Sequence, residues 1–186
     1  MKKIPTLFER IFENHKKVGI IDKVTEGMEW VLDGEGIATQ KWDGACCAII
    51  NGEFYKRYDA KRGKNPPKGA IPCCDPDPIT GHWPHWVKID KNNPADKWFI
   101  AAYDNTDDVT DGTYEAIGLH FQGNPYNLEW DTLVRHGEVH LSVGRTFEDI
   151  RDYLKEFNIE GIVFWKDGEP QCKIKRSDFG IPWGDK

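Results

Sequence analysis

The sequence predicts an α+β fold of antiparallel strands with helices packed outside, on three observations. Two strand–turn–strand patterns, at 45–58 and 161–176, carry the turn dipeptides of tight hairpins. One segment near the C-terminus has apolar residues at helical spacing behind a capping signal. Strands outnumber helices, and short turns rather than long crossovers join many of them, which disfavours a parallel sheet.

Taken in order, Leu7 to Asn14 has the apolar spacing of a short helix. Ala45 to Ile50, Asn51-Gly52 and Glu53 to Tyr58 read as strand, type I′ turn and strand. Asn93 before Pro94 is an N-cap followed by proline at the first helical position, opening a helix through about Tyr103. Thr146 and Asp149 form a capping box, and Phe147, Ile150, Leu154 and Phe157 place one apolar face on a helix ending near Asn158. Gly161 to Lys166 is β-branched and aromatic, Asp167-Gly168 is a turn, and Gln171 to Arg176 alternates in period two.

The chain has 186 residues, 25 Lys and Arg against 31 Asp and Glu, and a net charge of −6. That length fits a single domain over 1–186, and 8 Trp, 9 Phe and 6 Tyr supply a core that a disordered chain would lack. The longest apolar run, Trp98 to Tyr103, is six residues, far below the roughly 20 that span a bilayer, and no export signal opens the chain. Five cysteines at 46, 47, 73, 74 and 172 make a poor disulfide framework and favour a reducing cytoplasm. The acidic total argues against a general nucleic-acid coat, yet Lys56 to Lys68 holds six bases and one acid, so local charge is strongly positive there.

Four short segments carry candidate chemistry: Lys41-Trp42-Asp43-Gly44, Tyr114 to Gly118, Glu160 to Phe164, and Lys173-Ile174-Lys175. A lysine becomes a nucleophile only when its amine loses a proton, and its ordinary pKa is about 10.4, so its site must disfavour the charged form. On the strand 171–176, alternation puts Lys173 and Lys175 on one face and Ile174 on the other. Both ammonium groups then reach one cleft, where they would disfavour a third ammonium on Lys41 and neutralise phosphate oxygens. Transfer from a nucleoside triphosphate also calls for a divalent ion, and Asp43, two residues from Lys41 and expected on the same strand face, and Glu160 are the candidate carboxylates.

In order and spacing these four segments resemble motifs I, III, IV and V of the covalent nucleotidyltransferases, the superfamily of ATP-dependent RNA and DNA ligases and mRNA capping enzymes. The resemblance covers about residues 37 to 179. Gly44-Ala45-Cys46-Cys47, Gly81-His82-Trp83-Pro84 and Gln122-Gly123-Asn124-Pro125-Tyr126 look most like a family of small RNA ligases. The resemblance implies an ATP-grasp-like ligase domain with two antiparallel β-sheets flanking a nucleotide cleft. It implies a reaction in which Lys41 takes AMP from ATP, passes it to an RNA 5′-phosphate, and the 3′-hydroxyl then displaces AMP.

It further implies ATP and Mg²⁺, with Mn²⁺ as an alternative ion, and as partner an RNA with 5′-phosphate and 3′-hydroxyl ends, with no membrane and no obligate protein partner. Glu115 matches the acid that contacts ribose, a role suited to a carboxylate accepting from vicinal hydroxyls, and Gln40 matches a position facing the adenine. Arg57 is the candidate phosphate clamp, with Arg62 as the alternative. Only 177–186 follows motif V, so no appended OB-fold is expected, which argues against capping and DNA sealing. The basic segment and Trp83 and Trp86 are candidates for holding RNA, balanced against core packing of the tryptophans. Cys73, Cys74, His82 and His85 have poor spacing for zinc, since adjacent cysteines rarely share one tetrahedral ion. Cys46, Cys47 and Cys172 are expected to be small core residues. The competing functions are a GTP-using capping-type transferase and a catalytically silent nucleotide- or RNA-binding module.

Overall fold

A computed structural model describes residues 3–14, 16–61, 63–78 and 80–184. Their secondary structure is strand-rich with few helices, and every strand ladder is antiparallel. The described residues divide into two compact units, one formed by Lys3 with those of 43–136, the other by those of 4–42 and 137–184. We call them the inserted unit and the terminal unit.

The terminal unit holds β1 (Phe8–Glu13), β2 (Lys16–Val24), β3 (Ile37–Lys41), α2 (Phe147–Glu156), β10 (Gly161–Lys166) and β11 (Glu169–Lys175). Its sheet runs β11-β10-β3, with β1 and β2 as a separate hairpin. Even-numbered residues Ala38, Ile162, Phe164, Cys172 and Ile174 point to one face and pack with Ile150 and Leu154 of α2. The expected capping box starts that helix: Thr146 Oγ1 accepts from the Asp149 N–H at 3.1 Å, and Asp149 accepts from the Thr146 N–H at 3.3 Å.

The inserted unit is a six-stranded sheet in the order β6-β7-β5-β4-β8-β9: β4 (Ala45–Ile50), β5 (Glu53–Ala60), β6 (Ile71–Pro72), β7 (Trp83–Lys88), β8 (Gly112–Ile117) and β9 (Thr132–Arg135). Helix α1 (Lys97–Asp104) follows a 3₁₀ turn at Pro94–Asp96, with Asn93 Oδ1 accepting from the Ala95 N–H at 3.1 Å. Its Ala102 packs with Cys47, Ile49, Tyr114, Ala116 and Leu133 on one face of the sheet. The Asn51-Gly52 turn joins β4 to β5 with φ of 52° and 74°, as a type I′ turn requires.

Two expectations are corrected. Leu7 to Asn14 is not a helix: its first residues enter the core, and Phe8–Glu13 pairs along β2 with two register shifts. The sheets among the described residues number three, because that hairpin stands apart from the other two. Trp86 is buried, and Trp83 is half-buried and donates its indole N–H to the Cys74 carbonyl at 2.8 Å. Among the described residues no helix is long and apolar enough to cross a membrane.

Candidate functional site

The terminal unit brings Lys41, Glu160, Lys173 and Lys175 together. In the sheet, Lys41 of β3 lies opposite Gly161 of β10, and Gly161 lies opposite Lys175 of β11. One row thus runs lysine, glycine, lysine, and the next runs Thr39, Val163, Lys173 on the same face. Gly161 is required there: a Cβ would collide with the Ile174 carbonyl oxygen and meet the Lys175 Cα at 3.0 Å.

Glu160 immediately precedes Gly161 and turns its carboxylate into this row. Its Oε2 accepts from Lys41 Nζ at 2.6 Å, and its Oε1 accepts from Lys175 Nζ. Lys41 also donates to the Trp42 carbonyl at 3.2 Å. Glu160 is 4% exposed, and a carboxylate that buried is tolerable because both oxygens are charge-paired. Lys173 is different. No carboxylate salt-bridges it among the described residues, and its pKa is pulled down to about 8, by burial first and then by Lys41, Lys175 and Arg10.

This geometry alters two expectations. Each Glu160 oxygen accepts from one ammonium group, so a divalent ion at this carboxylate would share it with Lys41 and Lys175. Among the described residues no three His, Cys, Asp or Glu side chains converge on a metal position. Gln40 stands opposite Ile162, on the sheet face away from Lys41 and toward α2, because neighbours on a strand alternate. It is therefore left out of the site.

In the inserted unit the six-stranded sheet carries a second row on the face opposite α1: Glu115, Cys46, Arg57 and Trp86 are cross-strand neighbours. Glu115 is firmly held. Its Oε1 accepts from the Gly44 N–H at 3.1 Å, and its Oε2 lies 2.9 Å from His136 Nε2, whose Nδ1 is 3.1 Å from Thr113 Oγ1. His136 carries no sequence signal, since it sits 21 residues from Glu115 and matches none of the motifs. Arg57 donates Nε–H to Asp59 at 2.8 Å. Arg62, the alternative clamp, lies outside the described residues. Lys56 from the basic segment is bound to the buried Asp96, so it is committed to the fold.

Asp43 was expected to share a strand face with Lys41, but β3 ends at Lys41 and Asp43 belongs to the inserted unit. Its backbone N–H donates to the Tyr126 hydroxyl at 2.6 Å, and the Gln122 amide donates to the Gly44 carbonyl at 3.2 Å. The segment 122–126 thereby braces the turn after Lys41. Burial pushes the Cys46 thiol up to about 12 and Cys47 well above its ordinary value, and Cys172 rises to about 12. The raised values keep these three thiols protonated near neutral pH. The sequence has no significant match among protein-family models or curated proteins.

Proposed function

We propose that this protein is an ATP-dependent RNA ligase that works through a lysyl-AMP intermediate on Lys41. The observation that carries the reading is one sheet face on which Lys41 and Lys175 share a buried carboxylate while Lys173 has none. Such a face suits an anion with several oxygens, and a triphosphate has that chemistry.

In the proposed first step the Lys41 amine attacks the α-phosphorus of ATP, the new N–P bond forms, and the bond to pyrophosphate breaks. Glu160, 2.6 Å from Nζ, is placed to hold the proton that the amine gives up, with Lys175 keeping its other oxygen. Lys173 and Lys175 offset charge on the phosphoryl oxygens. Mg²⁺ or Mn²⁺ would neutralise the pyrophosphate, arriving with the triphosphate, and Asp43 remains the acid proposed to hold its waters. Glu115 is proposed to accept from the ribose hydroxyls and Arg57 to hold phosphate. The AMP then passes to the RNA 5′-phosphate, and attack by a 3′-hydroxyl releases it. A cytoplasmic setting suits the five free thiols.

Incubation with radiolabelled ATP and Mg²⁺ should leave an acid-labile label on the denatured protein, and Lys41→Ala should remove it. Label from GTP instead would make the protein a capping-type transferase. Nucleotide binding without any label would make it a silent binding module, and a full label on Lys41→Ala would move the nucleophile elsewhere.

A further inference from the structure

Of five cations gathered in the terminal unit, four share two buried carboxylates. Glu160 takes Lys41 and Lys175, and Asp178, 1% exposed, takes the other pair. Asp178 Oδ1 accepts from Lys17 Nζ at 2.8 Å and from Arg10 Nη2 at a looser 3.4 Å, while Oδ2 accepts from the Lys175 backbone N–H at 2.8 Å. Lys173 has no carboxylate, and Arg10 is close enough to it to depress its pKa. Arg10, Lys17, Lys41, Lys173 and Lys175 thus form one connected patch with three positive charges in excess of its two acids.

Two of these cations lie outside the lysine row. Arg10 and Lys17 belong to the β1–β2 hairpin, where Lys17 sits in register with Phe12, and Phe12 is 61% exposed. Phe12 belongs to neither core cluster. Cations beside an exposed ring match the chemistry of a single-stranded polynucleotide, which offers regularly spaced phosphates and flat bases.

We propose that the β1–β2 hairpin is a landing surface for single-stranded RNA, with Arg10 and Lys17 on backbone phosphates and Phe12 stacking on a base. The proposal rests on the ligase reading, in that it extends the patch from the lysine row along the RNA that would lead away from it. RNA is favoured over an acidic peptide because the charge excess is continuous with a face suited to phosphate oxygens and because the exposed group is aromatic.

The test measures the affinity of the full chain for a 5′-phosphorylated RNA of about 12 nucleotides between about 50 and about 200 mM salt. Arg10→Gln leaves the Lys17–Asp178 pair intact, so the fold is spared. It should reduce the slope of log affinity against log salt by about 0.7, the contribution of one single-strand phosphate contact. Arg10→Lys should restore the slope. Phe12→Ala should weaken binding by roughly fivefold to a hundredfold with the slope unchanged. An unchanged slope in Arg10→Gln would overturn the proposal, as would displacement of the RNA by a polyglutamate of equal charge as readily as by unlabelled RNA. The ATP-labelling assay on the same preparation separates the two ideas. Altered slopes without label would leave the surface standing and sink the ligase reading, whereas label with unaltered slopes would do the reverse.

Discussion

Lys173→Met should make the protein more stable while removing its proposed activity. The ammonium of Lys173 has its pKa lowered from 10.5 to about 8, because it is part-buried among Lys41, Lys175 and Arg10 with no carboxylate of its own. The unfolded chain holds its proton up to about pH 10.5, and the folded chain releases it near 8, so the unfolded state binds more protons across that window and stability rises with pH through it. Below about pH 8 the charge is present in both states and opposes folding in full; above about 10.5 it is absent from both and the opposition vanishes. At about 1.4 kcal/mol per pKa unit this amounts to about 3 kcal/mol near pH 7, and solvent screening at the partly exposed amine brings it nearer to about 2.

Methionine fills a similar volume without the charge. Urea unfolding of both proteins should therefore show the variant more stable by about 2 kcal/mol near pH 7, with the gap under about 1 kcal/mol near pH 10. Labelling with ATP should meanwhile fall severely, the trade expected where a strained charge serves a function. A variant less stable than the parent at neutral pH, or a stability gap indifferent to pH, would refute the account of Lys173 as a part-buried cation without an ion-pair partner.

Two further outcomes follow from packing and burial. A Cβ on Gly44 would meet the Ala116 carbonyl oxygen, with Ile117 Cγ2 at 2.8 Å and Glu115 Cγ at 2.9 Å, so Gly44→Ala should cost about 1–3 kcal/mol and lower the melting temperature by several degrees. An unchanged thermal midpoint would show that the turn has more room than its neighbours indicate. Cys46, Cys47 and Cys172 hold raised pKa values, so iodoacetamide near pH 8 should leave them unmodified in the native protein and alkylate them in urea. Rapid native labelling of Cys47 or Cys172, read by peptide mass spectrometry, would contradict their burial.

Local chemistry made much of this legible. The hairpin at Asn51-Gly52, the capping box at Thr146 and Asp149, and the strand at 161–166 depend on residues close in sequence, and each formed where its signals stood. Leu7 to Asn14 was misread because a short apolar run satisfies helix and strand alike, and its partner β2, rich in lysine and interrupted by Gly19, gives little strand signal. Alternation placed Lys173 and Lys175 on one face, and the same rule applied to 40 and 41 would have sent Gln40 away from the nucleophile. The bridging position of Glu160 was not legible, since it requires β10 to lie between β3 and β11, an arrangement set by long-range pairing. The link between His136 and Glu115 was hidden for the same reason, being made across the edge of a sheet whose strand order no local pattern reveals.

Two acids set among five cations have a thermodynamic corollary. A fold that crowds more cations than acids gains stability whenever an anion binds among them, so occupancy and folding become linked equilibria. On the proposed reading, phosphate-bearing ligands would raise the melting temperature of the protein.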